Sequence, residues 1–354
     1  MAFRLKLVPD ETKIDFFRWQ VLTFGISSAL ALLSVVALLI FGLNFGIDFK
    51  GGTTIRTEST QPIDVGVYRQ ALQPLNLGDV SITQVYDPGF RADQYVAQVR
   101  IGAQSGAEAV TPQTIEAVQG ALKQVDPPIT FPSVESVGPK VSAELIRTAV
   151  YSVLTALVAI SVYIWLRFEW QFALGAIVSL VHDVLITMGV FAVFQIKFDL
   201  TTIAALLTIV GYSINDTVVV FDKVRENTEA MRESRKSYRQ AANLAVNQTL
   251  VRSVNTSRVA LLPVGAILYV GAVQLGGSSL QDLALALFVG MAAGTYSSVC
   301  IATPLLVDLK NTEDEVKLAE KRAKARQRAA ADPYAQAGVF SEVLVQPFVK
   351  VFPR

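Results

Sequence analysis

Cysteine and histidine are almost absent from this chain of 354 residues, and each absence excludes a class of chemistry. Cys300 is the only cysteine, so no disulfide can form within the chain, and no thiol pair is available for redox chemistry or for zinc. Its neighbours in the sequence are apolar, so we interpret Cys300 as a small buried hydrophobic residue. His182 is the only histidine, which excludes a metal centre built from several histidines.

The motifs of common enzyme classes are also missing. The sequence has no Ser-His-Asp arrangement, no His-Glu-x-x-His motif and no EF-hand loop. The pair Gly51-Gly52 is not followed by the Gly-Lys-Ser/Thr pattern of a phosphate loop, which argues against nucleotide binding. The net charge of +1 is not that of a nucleic-acid-binding protein. We therefore predict no enzymatic activity, no cofactor, no metal site and no nucleic-acid partner.

Apolar residues are abundant: they make up 52% of the chain, and the mean hydropathy is +0.43. Soluble proteins of this length rarely reach such values. Six stretches approach the roughly 20 residues that a helix needs to cross a bilayer. They cover residues 21–46, 148–166, 172–194, 200–221, 250–275 and 283–307. The sequence therefore predicts a polytopic α-helical membrane protein with six transmembrane helices.

The distribution of basic residues predicts the orientation of these spans. Lys and Arg are concentrated in residues 1–20, in the link between the fourth and fifth spans, and in the tail 308–354, whereas 271–282 has neither. By the positive-inside rule, both termini are cytoplasmic. The apolar run that follows residues 1–20 is too long for a cleaved signal peptide, so we expect the first span to remain as an anchor.

The segment 47–147, between the first and second spans, is less hydrophobic and has a different pattern. We predict strands at 53–57, 80–86, 95–101 and 133–137, and helices at 63–72 and 111–125. The resulting order, β-α-β-β-α-β, is that of a ferredoxin-like sandwich. A domain of about 100 residues can form one small core. At its two membrane connections we predict hinges, at Gly51, Gly52, Gly138 and Pro139.

The basic tail 308–354 begins with a charged, alanine-rich stretch. It predicts a helix at 313–331, which Pro333 would stop. We interpret it as a solvated helix. Contact with anionic membrane lipid or with RNA-rich partners is the alternative.

Asp216 lies inside the fourth span, about 8–9 Å from its cytoplasmic end at about 1.5 Å per residue. A carboxylate at such a depth costs roughly 2.5–3.5 kcal/mol. Tyr212, Asn215 and Asp216 share a polar helix face, which we expect to meet protein or a wet cavity. A neutral Asn or Ser would serve for packing alone, so we interpret Asp216 as a protonatable functional site, with a packing role as the alternative.

Other spans contain candidate partners for this carboxylate. Asp183, in the third span, is a second acid for a proton path, and His182 before it is either part of that path or a hydrogen-bonded structural residue. The fifth span runs opposite to the fourth, so Arg252 and Arg258 can match Asp216 in depth. Either arginine can pair with ionised Asp216 and be released on protonation. Snorkelling to the interface is the alternative for each.

The sixth span carries small residues at intervals of four, namely Gly290, Gly294 and Ser298. Such a face permits close approach of neighbouring helices. We therefore expect a tight helix bundle behind the polar face of the fourth span.

Several motifs occur in a characteristic order along the chain. They are IDF at 14–16, GIDFKGGT at 46–53, VGPKV at 137–141, HDVLIT at 182–187, GYSINDTVVVFD at 211–222, NQTLVR at 247–252, and FVG at 288–290 with GTYSS at 294–298. Together, over residues 16–307, they resemble the SecF proteins of the SecD/SecF protein-export family, within the resistance-nodulation-division superfamily. Several motifs in the right order make the resemblance highly specific. The tail from residue 310 lies outside it.

The resemblance implies a function and a setting. It implies a multi-pass protein of the bacterial inner membrane, with a periplasmic domain at 47–147, that pairs with SecD beside the SecYEG translocon. Such proteins use the proton-motive force, or sodium in some relatives, to promote late steps in the export of unfolded preproteins. YajC and YidC are further candidate partners, and lipid surrounds the helices.

The resemblance also implies roles for individual residues. Asp216 takes the position of the key intramembrane aspartate, Arg252 that of the fifth-span arginine, and Asp183 falls in the third-span His-Asp motif. Arg258 stands where an apolar residue is expected, so the arginine that serves Asp216 stays open. Proton and sodium coupling also stay open, because Ser213 and Asn215 offer further oxygen ligands.

Two other functions remain as alternatives. One is half of a small-molecule transporter of the same superfamily, although a single six-span half with one small outside domain argues against it. The other is a scaffold of the translocon that transduces no energy. For such a scaffold, a neutral residue at position 216 would leave export intact.

Overall fold

A computed structural model of the protein describes residues 12–85, 91, 93–102, 110–230, 237–273 and 279–313. It contains six helices that are long and apolar enough to cross a membrane. The predicted class, a polytopic helical membrane protein with six spans, is confirmed. The tail helix expected at 313–331 lies outside the described residues, apart from its first position.

The six spans are longer or shorter than the apolar runs that indicate them. They are α1 (Gln20–Phe41), α5 (Pro139–Arg167), α6 (Trp170–Phe194), α7 (Leu200–Ala230), α8 (Tyr238–Val273), and α9 (Ser279–Ser297), which continues through a π-helix (Ser298–Ala302) into α10 (Thr303–Lys310). A short 3-10 helix, Phe16–Trp19, precedes α1. Hydropathy misses the end of α7 and the beginning of α8, because these are mixed in composition and only one face is buried, as at Val224, Ala242 and Val246.

The segment between α1 and α5 folds into a sheet domain, residues 52–137. Its elements are β2 (Gly52–Ser59), α3 (Val65–Leu72), β3 (Val80–Val85), β4 (Tyr95–Gly102), α4 (Pro112–Val125) and β5 (Thr130–Val137). The strands form one antiparallel sheet in the order β3-β4-β2-β5. The order of elements is the predicted β-α-β-β-α-β. Thr111 caps α4, as expected, by accepting a hydrogen bond from the Thr114 amide at 3.3 Å.

The core of the sheet domain is mainly apolar, and it also contains a buried carboxylate. Ile55, Val99 and Leu122 are completely buried between the sheet and its helices. Asp126, at the end of α4, accepts hydrogen bonds from the Tyr68 hydroxyl at 2.6 Å and the Ser59 hydroxyl at 2.9 Å. These bonds join α3, α4 and β2, so the polar group ties together elements that are distant in sequence.

A compact junction joins the sheet domain to the helices. The short strand β1 (Asn44–Phe45) pairs in parallel with β6 (Lys197–Phe198), which precedes α7. The helix α2 (Ile47–Lys50) follows, and Asp48 in it accepts a hydrogen bond from the Leu200 amide at 3.1 Å. The Arg100 side chain donates to the Phe45 carbonyl at 3.0 Å. The chain leaving α1 is thus fastened both to the bundle and to the sheet.

The glycine pair after α2 is required by backbone geometry. Gly51 and Gly52 have φ angles of +71° and +125°, and a Cβ on Gly52 would lie 2.3 Å from the Ile101 carbonyl oxygen. Gly52 is also paired on both sides in the sheet. On the other connection, Gly138 is the N-cap of α5 and Pro139 its first residue. The geometry accounts for these residues as tight connections, and a hinge role for them stays a prediction.

Small residues set the spacing of the membrane helices. A Cβ on Gly290 of α9 would lie 2.2 Å from Ile209 Cδ1 of α7, and one on Gly189 of α6 would lie 2.3 Å from Ser34 Oγ of α1. Larger residues would push these helix pairs apart. The close approach expected along the sixth span is present, and it brings α9 against the acidic residues of α6 and α7.

We predict that the stability of the sheet domain falls above about pH 10, and that Tyr68→Phe removes this dependence. Burial, and then the hydrogen bond to Asp126, raise the pKa of Tyr68 above its ordinary value. The unfolded tyrosine ionises near pH 10, whereas the folded one stays protonated, so the contribution is complete below about pH 10 and is lost above it. The urea midpoint of the domain, followed by near-ultraviolet circular dichroism across this range, measures the effect. Equal pH slopes in both proteins would contradict it.

Candidate intramembrane carboxylate site

Asp216 of α7 is held by two serines from two other helical elements. The side chain is 6% exposed, and its Oδ2 accepts hydrogen bonds from Ser253 Oγ of α8 at 2.6 Å and from Ser298 Oγ of the π-helix at 2.7 Å. Within the described part of the chain, no donor reaches its Oδ1. One carboxylate oxygen is therefore held by two donors, while the other has none among the described residues.

Asp183 of α6 is more completely enclosed. It is fully buried, and its Oδ2 accepts hydrogen bonds from Ser213 Oγ of α7 at 2.7 Å and from Ser297 Oγ of α9 at 2.8 Å. Its Oδ1 lies 3.1 Å from His182 Nδ1. Ser179 donates in turn to Ser297 at 2.8 Å. Both oxygens of Asp183 are engaged, in contrast to those of Asp216.

Two consecutive serines link the two carboxylates. Ser297 ends α9 and donates to Asp183, while Ser298 begins the π-helix and donates to Asp216. Such π-helical turns are rare in proteins, but those that occur are often found at functional sites. Gly294 permits this arrangement, because a Cβ there would lie 3.0 Å from Ser213 Cβ and 3.4 Å from Asp183 Oδ2. A movement of this turn would therefore affect both acids.

Neither candidate arginine forms an ion pair with Asp216 among the described residues. Arg252 is exposed and Arg258 is half-buried, whereas Ser253, next to Arg252, points to the carboxylate. Adjacent residues of a helix are about 100° apart around its axis, so the contact of Ser253 directs Arg252 elsewhere. Pairing of Asp216 with Arg252 or with Arg258 stays a prediction.

The residues that the sequence predicts to support the carboxylate at position 216 lie in different environments. Ser213 contacts Asp183 and not Asp216. The Tyr212 hydroxyl and His182 Nε2 are buried and have no hydrogen-bond partner within the described residues. Asn215 is exposed on the outside of the bundle, so the polar face expected for α7 is two adjacent faces, one buried and one open.

Sequence reasoning missed Ser179, Ser253 and Ser297 as partners of the acids. Serines are common in membrane helices, and their roles depend on the helix face that they occupy. The only signal in the sequence is position. Ser253 is next to Arg252, a candidate partner of Asp216, and Ser297 is next to Ser298, one of the small residues of the sixth span. Asp216 is thus held by hydroxyl groups, and no cation contacts it among the described residues.

The chain belongs to the SecD/SecF family of protein-export membrane proteins. The family model described as "Protein export membrane protein SecD/SecF, C-terminal" matches residues 117–312, which is more than half of the chain. A second model, for the SecD/SecF GG motif, matches residues 36–63 and includes the glycine pair at the junction.

Individual relatives agree with this assignment. The protein translocase subunit SecF of Cereibacter sphaeroides is 58% identical over 309 residues, which cover 87% of this chain and 93% of the relative. The SecDF protein of Brucella abortus is 39% identical over 86% of this chain and 38% of its own length. The crystal structure of SecDF from Thermus thermophilus matches with a TM-score of 0.73 and 34% identity, over 86% of this chain and 40% of that one. This chain therefore spans well under half of the SecDF proteins that it matches.

We predict that Ser297→Ala lowers the thermal stability of the purified protein more than Ser298→Ala does. Ser297 serves a carboxylate that is fully buried, so its loss leaves a charged group short of a donor, at roughly 1–3 kcal/mol. Asp216 is slightly exposed and holds only one fixed oxygen, so it tolerates the loss better. Ser161→Ala is the matched control, because Ser161 donates only to its own helix, at Leu157. Equal melting temperatures for the two site variants would refute this difference.

Proposed function

We propose that this chain acts as a SecF-type subunit, which pairs with SecD beside the SecYEG translocon. In this role it uses the proton-motive force to promote late steps in the export of unfolded preproteins across the inner membrane, without an enzymatic step of its own. The observation that carries the proposal is Asp216, a membrane-buried carboxylate held on one oxygen by serines of two other elements. Because the chain belongs to a protein-export family, we infer that proton exchange at Asp216 serves export.

The proton acts by changing the hydrogen bonds of Asp216. Bonds from hydroxyl groups to an ionised carboxylate are stronger than those to a neutral acid. Protonation therefore loosens Ser253 and Ser298, and α8 and the π-helix become free to shift against α7. One elementary charge that crosses the membrane supplies roughly 2.3 kcal/mol per 100 mV, which is enough to bias such a shift.

Arg252 and Asp183 take secondary roles in this cycle. Arg252 lies next to Ser253 on α8, so a rotation of α8 on protonation moves it relative to Asp216. Asp183 is coupled to Asp216 through the consecutive serines Ser297 and Ser298. We propose that Arg258 is less suited than Arg252 to pair with Asp216, because Arg258 lies six residues beyond Arg252 in α8, or about 9 Å.

The topology in the membrane follows from the distribution of charge. Basic residues in 1–20, in the link between α7 and α8 and in the tail support cytoplasmic termini. The sheet domain then lies in the periplasm, where it is available to an emerging preprotein. Association with YajC and YidC is proposed from the family resemblance alone.

An exposed face of α7 is suited to a helix of SecD. Small or polar residues occupy its open side at helical spacing, and they are Thr201, Ala204, Thr208, Gly211 and Asn215. Small residues allow close approach of a second helix, and Asn215 is costly to leave in lipid. In the SecDF relatives the matched part belongs to a longer single chain, which agrees with SecD as the partner at this face.

We predict that Asp216→Asn abolishes the part of export that depends on the ion gradient, while the complex with SecD stays intact. The amide keeps the shape of the side chain but cannot exchange a proton. Export into inverted membrane vesicles, with the proton and sodium gradients collapsed separately, measures the effect. Asp222→Asn is the control, because Asp222 is an exposed residue of the same helix and pairs with Arg167 at 3.3 Å. Full gradient-dependent export by Asp216→Asn would favour the scaffold alternative.

We predict that Gly211→Leu weakens the association with SecD about tenfold or more, a loss of about 1.4 kcal/mol. The leucine would obstruct the close helix approach at the open face of α7. Gly25→Leu in α1 is a matched control, because a Cβ at either glycine meets no atom of this chain within 4 Å. Recovery of SecD with the tagged protein from mild detergent measures the change. Equal recovery from both variants would exclude this face as the SecD contact.

A further inference from the structure

Two family motifs, at 14–16 and 247–252, meet at the cytoplasmic end of α8, and the proposed function uses only Arg252 of them. Asn247 accepts a hydrogen bond at Oδ1 from the Ile14 amide at 2.8 Å, and donates from Nδ2 to the Ile14 carbonyl at 2.8 Å. A single side-chain amide therefore satisfies both backbone groups of Ile14. This is the pairing that a neighbouring strand would make.

Asn243 continues the same contact one turn earlier in α8. Its Oδ1 accepts from the Phe16 amide at 3.0 Å, and its Nδ2 donates to the Ile14 carbonyl at 3.0 Å. One more turn back, Arg239 donates to the Phe17 carbonyl at 2.7 Å. Residues four apart lie on one helix face, so α8 presents a row of side chains that binds the backbone of residues 14–17.

One aromatic side chain anchors this segment. Phe17 is 2% exposed, and it lies in the apolar cluster that includes Ala242 and Val246 of α8. The Arg239 guanidinium lies 5.3 Å from the centre of its ring. In contrast, the Ile14 side chain is 46% exposed. Residues 12–17 are therefore held through their backbone and through Phe17, and we call this contact, with Asn243 and Asn247, the N-terminal clasp.

The clasp joins α1, which leads to the sheet domain, to α8, which contacts Asp216. Residues 12–17 lead directly into α1, and α1 enters the sheet domain through the junction at β1 and α2. Asn247 lies six residues before Ser253 in α8, about 9 Å along the helix. Ser253 is a donor to Asp216. The helix that contacts the carboxylate is thus fastened to the helix that leads to the outer domain.

We propose that Asn243 and Asn247 are positioning residues that transmit the movement of α8 to α1, and through α1 to the sheet domain. The hydrogen bonds of the clasp persist while the helices shift, because Asn243 and Asn247 bind backbone groups of residues 14–16 and do not restrain the remainder of α8. This inference rests on the proposed function, in which protonation of Asp216 releases α8. It assigns the cytoplasmic motifs a part in coupling, at a distance from the carboxylates.

A crosslink that replaces the clasp tests this inference. The variant Ile14→Cys, Asn243→Cys, Asn247→Ala removes both asparagines and places a thiol on each side of the contact. In inverted vesicles we expect its gradient-dependent export to fall about fivefold, the factor that corresponds to one net hydrogen bond. A flexible bismaleimide that joins the two thiols is expected to restore it. The amount of protein in the membrane and the export that does not depend on the gradient should stay unchanged in this variant, whereas a purely structural role would lower both.

Three controls make the result specific. The variant Asn243→Cys, Asn247→Ala receives the same reagent, so any reaction at Cys300 is seen without a crosslink. Gln240→Ala, exposed on the same turn of α8, should keep full export. Asp216→Asn should lose the gradient-dependent part of export and should gain nothing from a crosslink.

The outcomes separate the inference from the proposed function. Full export by the clasp variant, while Asp216→Asn is inactive, would overturn the inference alone, as would a complete crosslink that restores nothing. Full export by Asp216→Asn would overturn the proposed function itself. If the triple variant fails to accumulate, Asn247→Asp replaces it, since it keeps the Oδ1 acceptor and loses the Nδ2 donor. Unchanged gradient-dependent export by Asn247→Asp would also overturn the inference.

Discussion

A carboxylate inside a membrane must receive its hydrogen bonds from protein, because hydrocarbon offers none. In this structure, two neighbouring acids receive them from serines on other helices, and two consecutive serines of the sixth span serve both acids. Much of the bundle follows from this requirement. The sixth span must lie close to α6 and α7, and glycines at Gly290 and Gly294 allow that approach. Ser297 donates to Asp183, and Ser298, the first residue of the π-helix, donates to Asp216.

The two acids differ in the freedom that their surroundings leave them. Asp183 has partners on both oxygens and no exposed surface, so it is suited to hold α6, α7 and α9 together. Asp216 is fixed on one side only. In the function that we propose, Asp216 changes its protonation, and incomplete enclosure suits that role, since a fully satisfied carboxylate would have to break several bonds at once. The division of roles is a consequence of geometry, because both residues are aspartates in similar apolar helices.

The first span is fastened to the rest of the protein at both of its ends. At the end that leads to the sheet domain, β1, α2 and Asp48 fasten the chain to β6 and α7 before the glycine pair begins the sheet. At the other end, the clasp fastens residues 12–17 to α8. The first span therefore joins the sheet domain to α7 and α8, the helices that carry Asp216 and Ser253.

Hydropathy and residue pattern by themselves determined the number of spans and the order of elements in the sheet domain, because both depend on local composition and periodicity. Tertiary structure alone decided which groups meet. Ser253 contacts Asp216 while its neighbour Arg252 does not, owing to a rotation of about 100° between adjacent helical residues. The rotation of each helix is set by packing at positions such as Gly290 and Gly189, which no local pattern reveals. For the same reason, the contact between Ile14 and Asn247 emerges only from the fold, since they are 233 residues apart.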